Sequence, residues 1–268
     1  MTGLTGHQTK WQEVIGLVPA AGQATRIAPL PCSKEILPVG FRHLGPDGSV
    51  RPKVVCHYLL EKMRRAGVTR VFLILRHGKW DIPAYLGDGT LVGMHLAYLM
   101  LRAPFGAPYS LDQAYAFVRN ALVVFGFPDI LFQPKDAFLQ LIARQASTRA
   151  DVVLGLFSAH NPLEMDMVAV AEGGVVRSID LKPRQTHLQQ AWLIAVWTPT
   201  FTHFMHEYLS DRTDPGEEPE LSVGHVLQAA ICSGLQMQAV QFPGHTYLDI
   251  GTPDSLRAAF TDPRFIAT

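Results

Sequence analysis

The sequence predicts an α/β protein built on a mixed, mostly parallel sheet, and three observations support this. The 268 residues are 48% hydrophobic and 17% charged, which is the composition of a globular chain that buries a large core. Short continuous apolar runs, typical of strands covered on both faces, alternate with helical patterns in the first half. The second half adds strands separated by turn signals, so the sheet is expected to be mixed.

In the first half, four apolar runs are expected to form buried strands: Val14–Val18, Val71–Leu75, Leu122–Phe125 and Val152–Phe157. Two stretches between them carry apolar residues at helical spacing and are expected to form helices: Val54–Ala66, which ends at Gly67, and Pro134–Gln145. This alternation of strand and helix indicates parallel strands joined by right-handed crossovers.

In the second half, further strands are expected at Met167–Ala171, Val175–Leu181 and Gln190–Trp197, with Gly173 and Gly174 in a hairpin turn. Helices are expected at Thr200–Leu209, Leu221–Ser233 and Pro253–Phe260, and a charged loop at Asp211–Glu220. No shift in composition marks a linker. We therefore expect one domain over residues 1–268, with a first half at about 14–150 and a second half at about 151–262.

Charge and cysteine content exclude several classes of protein. Lys plus Arg and Asp plus Glu both number 23, so no overall field attracts nucleic acid or an acidic membrane. The three cysteines, Cys32, Cys56 and Cys232, are too few and scattered for a disulfide framework or a zinc site. No signal peptide is apparent, and every apolar run is far shorter than the roughly 18–20 residues that span a bilayer. These features predict a cytoplasmic protein without nucleic-acid or membrane partners.

The densest chemical signal is a strand that runs into a loop of small residues. Ala20, Ala21 and Gly22 let backbone N–H groups approach an oxyanion, and Arg26 adds a planar donor for phosphate. Lys34 follows beyond a proline-stiffened stretch, and two such cations suit a triphosphate. The loop has neither the Gly-Lys-Ser/Thr of a Walker loop nor the three glycines of a dinucleotide fingerprint. By itself it is equally compatible with a strand-to-loop turn that ends in a surface arginine.

Together with later segments, this loop resembles the sugar nucleotidyltransferase family, of the glucose-1-phosphate thymidylyl- and uridylyltransferase type. The matching segments, in chain order, are Ala21–Arg26, Pro29, Ser33-Lys34, Leu37-Pro38, Tyr85–Gly89 with Gly93, Leu96 and Tyr98, Leu111–Ala114, Val123–Leu131, Leu181–Pro183 and Tyr247–Pro253. The resemblance implies a Rossmann-like three-layer α/β/α nucleotidyltransferase fold. It also implies a reaction in which a nucleoside triphosphate and a sugar 1-phosphate give a nucleotide-sugar and pyrophosphate, with Mg²⁺ as cofactor.

The resemblance also implies roles for individual residues. Catalytic cations are expected at Arg26, Lys34 and Lys182, nucleotide contacts at Ala20, Ala21, Gly22, Gly87 and Gln113, and Mg²⁺ ligands at Asp129 and Asp249. The two aspartates also have a physical argument of their own, because each follows a predicted strand and Mg²⁺ commonly takes one or two carboxylates plus phosphate oxygens. Without the family, the less favoured alternative makes Asp129 a turn residue after Pro128, and Asp249 a strand-end carboxylate near the cap of the following helix.

Two departures from the family pattern concern the loop and the acceptor side. Ala24 replaces the second loop glycine, which makes a positive φ at this position less favourable. Leu181 stands where the family has a Glu that binds sugar hydroxyls, and Met165-Asp166 replaces Tyr-Gly, while Asp180 lies one residue away. We therefore expect an altered acceptor pocket and poor activity with plain glucose 1-phosphate. The nucleobase stays open, since Gln113 can hydrogen-bond a purine or a pyrimidine.

Other residues with reactive or aromatic side chains give weaker evidence for a functional site. His203 and His206 have the spacing of a zinc pair but lack a third ligand, which favours surface histidines. His77 and Lys79 follow a strand and are expected in a solvated loop. Trp192 and Trp197 are expected in the core or the wall of a sugar pocket, on opposite faces of a regular strand.

Two alternative functions remain open at this stage. One is a catalytically degenerate nucleotide-binding regulatory module, and the other is nucleotidyl transfer to a polyol or phosphonate phosphate. A nicotinamide-dependent oxidoreductase is disfavoured by the missing fingerprint. The sequence ends soon after the Asp249 segment, so we expect no attached second domain, and a homo-oligomer is compatible with it.

Overall fold

The computed structural model describes residues 13–44, 48–102, 105–212 and 221–261. Within these residues the strands are β1 (Val14–Pro19), β2 (Pro38–Leu44), β3 (Ser49–Val54), β4 (Arg70–Arg76), β5 (His95–Leu101), β6 (Leu122–Gly126), β7 (Ile130–Phe132), β8 (Val152–Ser158), β9 (Met167–Val170), β10 (Val176–Asp180), β11 (Gln190–Trp197), β12 (Met237–Gln241) and β13 (Tyr247–Asp249). The helices are α1 (Val55–Arg65), α2 (Asp81–Leu86), α3 (Ala107–Asp112), α4 (Tyr115–Val118), α5 (Ala137–Thr148), α6 (Pro199–Ser210), α7 (Val223–Cys232) and α8 (Pro253–Thr261).

A nine-stranded central sheet organises the described part of the chain. The neighbours β5, β4, β1 and β6 pair in parallel, and so do β8 and β12. β11 lies antiparallel to β6, β8 and β9, and β9 and β10 pair as an antiparallel hairpin. All strands of this sheet except β10 and β11 therefore run in the same direction, which confirms the predicted mixed, largely parallel sheet.

Helices cover both faces of the sheet because alternate strand residues pack in opposite directions. Ile15 and Leu17 of β1 contribute to a core that also includes apolar residues of α3, α4, α6 and α7. Val18 contributes to the core on the other face, which includes residues of α1, α2 and α5. This arrangement is the predicted three-layer α/β/α architecture.

The two tryptophans of β11 share one face, which corrects the expectation that they lie on opposite faces. The register of β11 against β8 shifts between Trp192 and Ile194, as at a β-bulge, so the regular alternation is interrupted. Both Trp192 and Trp197 pack in the same core, where each ring lies close to Phe125. The Trp197 Nε1 donates a hydrogen bond to Thr202 Oγ1 at 3.1 Å, which satisfies its buried donor.

Most predicted elements are present, with shifts at their ends. The helix expected over Pro134–Gln145 begins at Ala137 and continues to Thr148, and Gly173 and Gly174 adopt positive φ in the turn between β9 and β10. The β2–β3 hairpin and β5 were not predicted. The expected charged loop lies largely outside the described residues. No helix in the described ranges is long and apolar enough to cross a membrane.

Candidate active site

A cleft of about 450 Å³ opens at the carboxyl ends of the parallel strands β1 and β6. Its walls come from the loop after β1, the turn that carries Lys34 and Glu35, the start of α3 and the segment after β6. The lining residues are Pro19, Ala21, Gly22, Gln23, Ala24, Thr25, Lys34, Glu35, Gly106, Ala107, Ser110, Phe127 and Asp129. Open α/β sheets place their ligands at this edge, so the cleft is the candidate active site.

The loop after β1 presents its backbone to the cleft. In the described part of the chain, the N–H groups of residues 21–24 donate to no protein acceptor. A Cβ added to Gly22 would meet no atom within 4 Å, so protein packing does not require this glycine, and space remains beside its backbone. Ala21 and Gly22, two of the predicted nucleotide contacts, line the cleft. Ala20 does not, because its N–H donates to the Ile74 carbonyl at 2.8 Å and its side chain is buried in the core.

Ala24 adopts the left-handed conformation that its side chain was expected to disfavour, with φ 55° and ψ 30°. It precedes the 3-10 turn Thr25–Ile27 and thereby sets the direction of Arg26. The methyl group costs roughly 1–2 kcal/mol in this conformation, which the surrounding structure must offset. The loop therefore keeps a glycine-like backbone without the glycine.

Two predicted metal ligands are brought together by a short pair of strands. β7 and β13 pair antiparallel with Asp249 opposite Ile130, and the Ile250 N–H donates to the Asp129 carbonyl at 3.1 Å. Burial, reinforced by the neighbouring Asp129 carboxylate, raises the pKa of Asp249. The Asp249 Oδ1 accepts a hydrogen bond from the Gly251 N–H at 2.8 Å, which holds one of its oxygens in place.

The two predicted cations of the nucleotide side lie beside these carboxylates. Lys34 forms an ion pair with Asp129, and both side chains are mostly buried. Burial disfavours the charge on Lys34, but Asp129 more than offsets this, so the pKa of Lys34 is raised. Arg26 is exposed, and its guanidinium lies so close to Gly251 that a Cβ there would be 2.6 Å from Nη2. Lys34 and Asp129 therefore line the cleft, and Asp249 and Arg26 lie next to them, close enough to interact electrostatically.

A buried ion pair supports the turn that carries Lys34. Lys79 Nζ lies 2.6 Å from Glu35 Oε1, and the two residues are 5% and 2% exposed. Burial lowers the pKa of Lys79 and raises that of Glu35, and each partner opposes the other's shift. The expectation of a solvated loop is thus wrong for Lys79, although His77 is exposed as expected. Sequence reasoning missed this pair because the two residues are far apart in the chain.

Two residues predicted to contact the nucleotide lie elsewhere. Gln113 is exposed at the end of α3, and the residues of this region that line the cleft are Gly106, Ala107 and Ser110. Gly87 is exposed at the end of α2, where its carbonyl accepts a hydrogen bond from Tyr98 Oη at 2.6 Å. The Gln113 motif adjoins the residues of α3 that line the cleft, whereas no described residue near Gly87 lines it, and both nucleotide contacts stay predictions. The sequence signal that could have identified the residues of this region that line the cleft is the start of α3, where Gly106 precedes Ala107-Pro108.

The predicted acceptor residues form a group next to the cleft. The Phe127 ring lines the cleft and lies 5.9 Å from the ring of Trp192. The buried Trp192 Nε1 forms no hydrogen bond of good geometry. It nevertheless lies close enough to the Asp166 carboxylate to stabilise its charge. Burial raises the pKa of Asp166, whereas the nearby Lys182 opposes this shift. Lys182 itself is exposed and has a positive φ of 37°.

Asp166 and Leu181 meet at the first turn of α7. A Cβ at Gly224 would lie 2.2 Å from Asp166 Oδ2 and 2.6 Å from Leu181 Cδ2. The Asp166 carboxylate therefore lies beside the side chain that replaces the family's glutamate. A glycine is required at position 224 for this close packing.

The candidate zinc pair is engaged in other contacts. His206 Nδ1 lies 2.9 Å from Asp112 Oδ1, and its ring stacks on Tyr115 at 3.7 Å. His203 Nδ1 lies 2.8 Å from the Tyr115 hydroxyl. No cluster of three or more metal-ligating side chains occurs among the described residues. These histidines are therefore interpreted as part of a surface network.

Comparison with known proteins identifies relatives of low sequence identity. A glucose-1-phosphate thymidylyltransferase of Streptomyces antibioticus is 24% identical over 240 residues, which cover 85% of this chain and 60% of the relative. One from Neisseria meningitidis is 22% identical over 250 residues, covering 91% of this chain and 80% of the relative. A nucleotidyltransferase of low-salt glycan biosynthesis from Haloferax volcanii is 24% identical, and 64% of its length is covered. The chain thus spans about 60% of the length of some relatives.

Solved structures share the fold. A crystal structure from Bacillus anthracis, determined in complex with sucrose, has a TM-score of 0.79 and 19% identity, covering 95% of this chain and 97% of the other. The UTP-bound UGPase from Acinetobacter baumannii has a TM-score of 0.72 and 16% identity, covering 92% of each chain. In addition, residues 15–264 match the nucleotidyl transferase family. The chain therefore belongs to the nucleotidyl transferase family.

Proposed function

We propose that this protein is a Mg²⁺-dependent enzyme that joins a nucleoside triphosphate to a sugar 1-phosphate and releases pyrophosphate. The observation that carries this proposal is the pairing of Asp129 with Asp249 at the cleft, beside Lys34 and Arg26. Two carboxylates and two cations around a loop with free N–H groups suit a polyphosphate better than a neutral ligand.

The residues present fit a magnesium ion. Mg²⁺ prefers hard oxygen ligands and commonly takes one or two carboxylates, with phosphate oxygens and water completing its shell. Burial raises the pKa of Asp249 and the neighbouring Asp129 carboxylate adds to this shift, so a divalent cation between the two would relieve their repulsion. They are the residues that would hold it. When bound, the ion would neutralise and orient phosphate oxygens.

The chemistry requires positioning and charge stabilisation more than proton transfer. A phosphate oxygen of the acceptor forms a bond to the α-phosphorus of the triphosphate, and the bond from that phosphorus to pyrophosphate breaks. The acceptor is already an anion at neutral pH, so no general base is needed. The N–H groups of the loop would bind the triphosphate, Lys34 and Arg26 would stabilise the departing pyrophosphate, and Lys182 would orient the acceptor phosphate.

Asp166 is the candidate residue for acceptor specificity. It supplies a carboxylate next to Leu181, where the related family has its sugar-binding glutamate, and the neighbouring Trp192 Nε1 interacts with this carboxylate. We therefore propose that hydroxyl groups of the acceptor bind at Asp166. Asp166→Asn should raise the KM for the acceptor about tenfold or more with little change in the KM for the nucleotide, since a charged hydrogen bond is lost.

Pyrophosphate release tests the reaction. Purified protein with Mg²⁺ is assayed with each common nucleoside triphosphate against sugar, amino-sugar and polyol phosphates. Asp129→Asn should lower turnover by roughly 10²–10³. The matched control is Asp254→Asn, which removes an exposed carboxylate of α8 and should leave turnover unchanged. Full turnover in Asp129→Asn would overturn the assigned site.

The same panel separates the remaining alternatives. Release with a polyol phosphate alone would keep the reaction type and change the acceptor class. Nucleotide binding without release for any pair would instead support the regulatory module. Strong activity with plain glucose 1-phosphate would contradict the altered acceptor pocket.

A further inference from the structure

A second cavity, of about 400 Å³, lies outside the cleft. It is enclosed by the β2–β3 hairpin and by the segment from α2 to the 3-10 turn Thr90–Val92. Lining residues include Ile36, Pro38, Arg42, Arg51, Tyr85 and Leu91, none of which lines the cleft. This second cavity is therefore separate from the proposed active site, although Ile36 belongs to the same turn as Lys34.

The second cavity concentrates positive charge. Arg42 and Arg51 are directly opposite each other in the hairpin register, a placement that is unfavourable for like charges. Among the described residues neither arginine has an ion pair, and no described lining residue is acidic. The repulsion between the two guanidinium groups is thus left without a protein counterion in this part of the chain.

Most N–H donors of these two arginines have no acceptor in the described part of the chain. Arg42 Nη1 donates to the Leu91 carbonyl at 3.2 Å, and its Nε is buried without a partner. Within the described ranges, Arg51 Nη1 reaches only the carbonyl of the neighbouring Val50, at 3.4 Å. A guanidinium presents five N–H donors in a planar fork that matches phosphate oxygens. The pair therefore has the donors and the charge for an oxyanion.

The remaining surface of the second cavity is apolar. Ile36 and Pro38 line it, and Tyr85, which is 39% exposed, offers an aromatic ring. The buried His57 lies next to Tyr85, with ring centroids 5.7 Å apart. His57 supplies no negative charge. A ligand with a charged head and an apolar body matches this surface.

We propose that the second cavity binds a small organic phosphate, with the phosphate held between Arg42 and Arg51 and the organic part packed on Tyr85. The bound phosphate would neutralise the cross-strand arginine pair and use its free donors. This proposal does not depend on the reaction proposed above, because the two cavities share no residue.

Calorimetric titration with phenyl phosphate tests the second site. The titrated protein carries Lys34→Gln, which weakens phosphate binding in the cleft. In this background we expect saturable binding, and adding Arg51→Gln should weaken it by about tenfold or more. Adding Arg177→Gln, which removes an exposed arginine of β10 instead, should leave the affinity unchanged. Inorganic phosphate should bind more weakly because it lacks the organic part.

Three outcomes would overturn the proposal. They are no binding of phenyl phosphate in the Lys34→Gln background, equal affinity with and without Arg51→Gln, and equal losses in the Arg51→Gln and Arg177→Gln proteins. Arg51 is exposed, and among the residues that the structure describes it bonds only to its neighbour, so its replacement should not disturb folding. A far-ultraviolet circular dichroism melt of each variant verifies this.

Discussion

Replacing Lys79 with methionine would leave a buried carboxylate without its counterion. Lys79 Nζ lies 2.6 Å from Glu35 Oε1, and the two side chains are 6% and 2% exposed. The other oxygen, Glu35 Oε2, is already buried without a hydrogen bond. Removing one member of such a pair costs about 3–5 kcal/mol. Since 1 kcal/mol shifts the Tm of a chain this size by about 2–4 °C, the Tm of Lys79→Met should fall by roughly 10 °C.

Two further variants make this experiment specific. Arg70→Met breaks the exposed pair between Arg70 Nη1 and Glu13 Oε1, 3.0 Å apart, and should cost under about 1 kcal/mol. Lys79→Met combined with Glu35→Met removes both charges and should recover most of the loss, because an apolar pair replaces the ionic one. Urea unfolding gives the free energies. A loss for Lys79→Met no larger than that for Arg70→Met would refute the reasoning.

Three further predictions concern backbone conformation and pH. Ala24→Gly relieves a positive φ and should raise or keep the Tm, whereas Ala28→Gly, at an ordinary extended residue, should lower the stability by about 0.4–1 kcal/mol. Gly89→Ala places a Cβ 2.3 Å from a backbone carbonyl oxygen and should lower the free energy of unfolding by more than about 2 kcal/mol. Gly67→Ala, where the added Cβ meets no atom, should lower it by about 1 kcal/mol. Urea unfolding of both variants measures the difference. Burial, with nearby positive charge, lowers the pKa of His57 from 6.5 to about 3. The unfolded chain then binds a proton that the folded chain does not, so stability falls as the pH decreases from 6.5 towards 3, and His57→Leu should reduce this slope in unfolding curves measured across that range.

Local patterns in the sequence determined the main layers of the fold. Continuous apolar runs predicted β1, β4, β6 and β8. A strand covered on both faces has apolar residues at successive positions, without the alternation of apolar and polar residues that a half-exposed strand shows. Helical spacing predicted α1, α6 and α7 within a few residues at each end. These predictions succeeded because burial acts on each segment separately. The β2–β3 hairpin was missed because its Arg and Lys residues conceal any apolar alternation.

For the site, the sequence determined which segments take part. The loop after β1, the Lys34 turn and Asp129 line the cleft and Asp249 lies beside them; the sequence pointed to them because each lies at a strand end or within a family motif. Gln113, which is exposed and does not line the cleft, shows the limit of this method. A motif locates a segment, but the direction in which a side chain leaves a helix depends on how that helix packs.

Only the tertiary structure decided which residues meet. The pairing of β7 with β13 places Asp249 next to Asp129, and the fold buries Lys79 against Glu35. A register shift in β11 turns Trp192 to the same face as Trp197. Each contact joins residues whose separation is set by strand register and helix packing over the whole chain. No local property of the sequence encodes such a distance, whereas burial and backbone preference can be inferred from neighbouring residues alone.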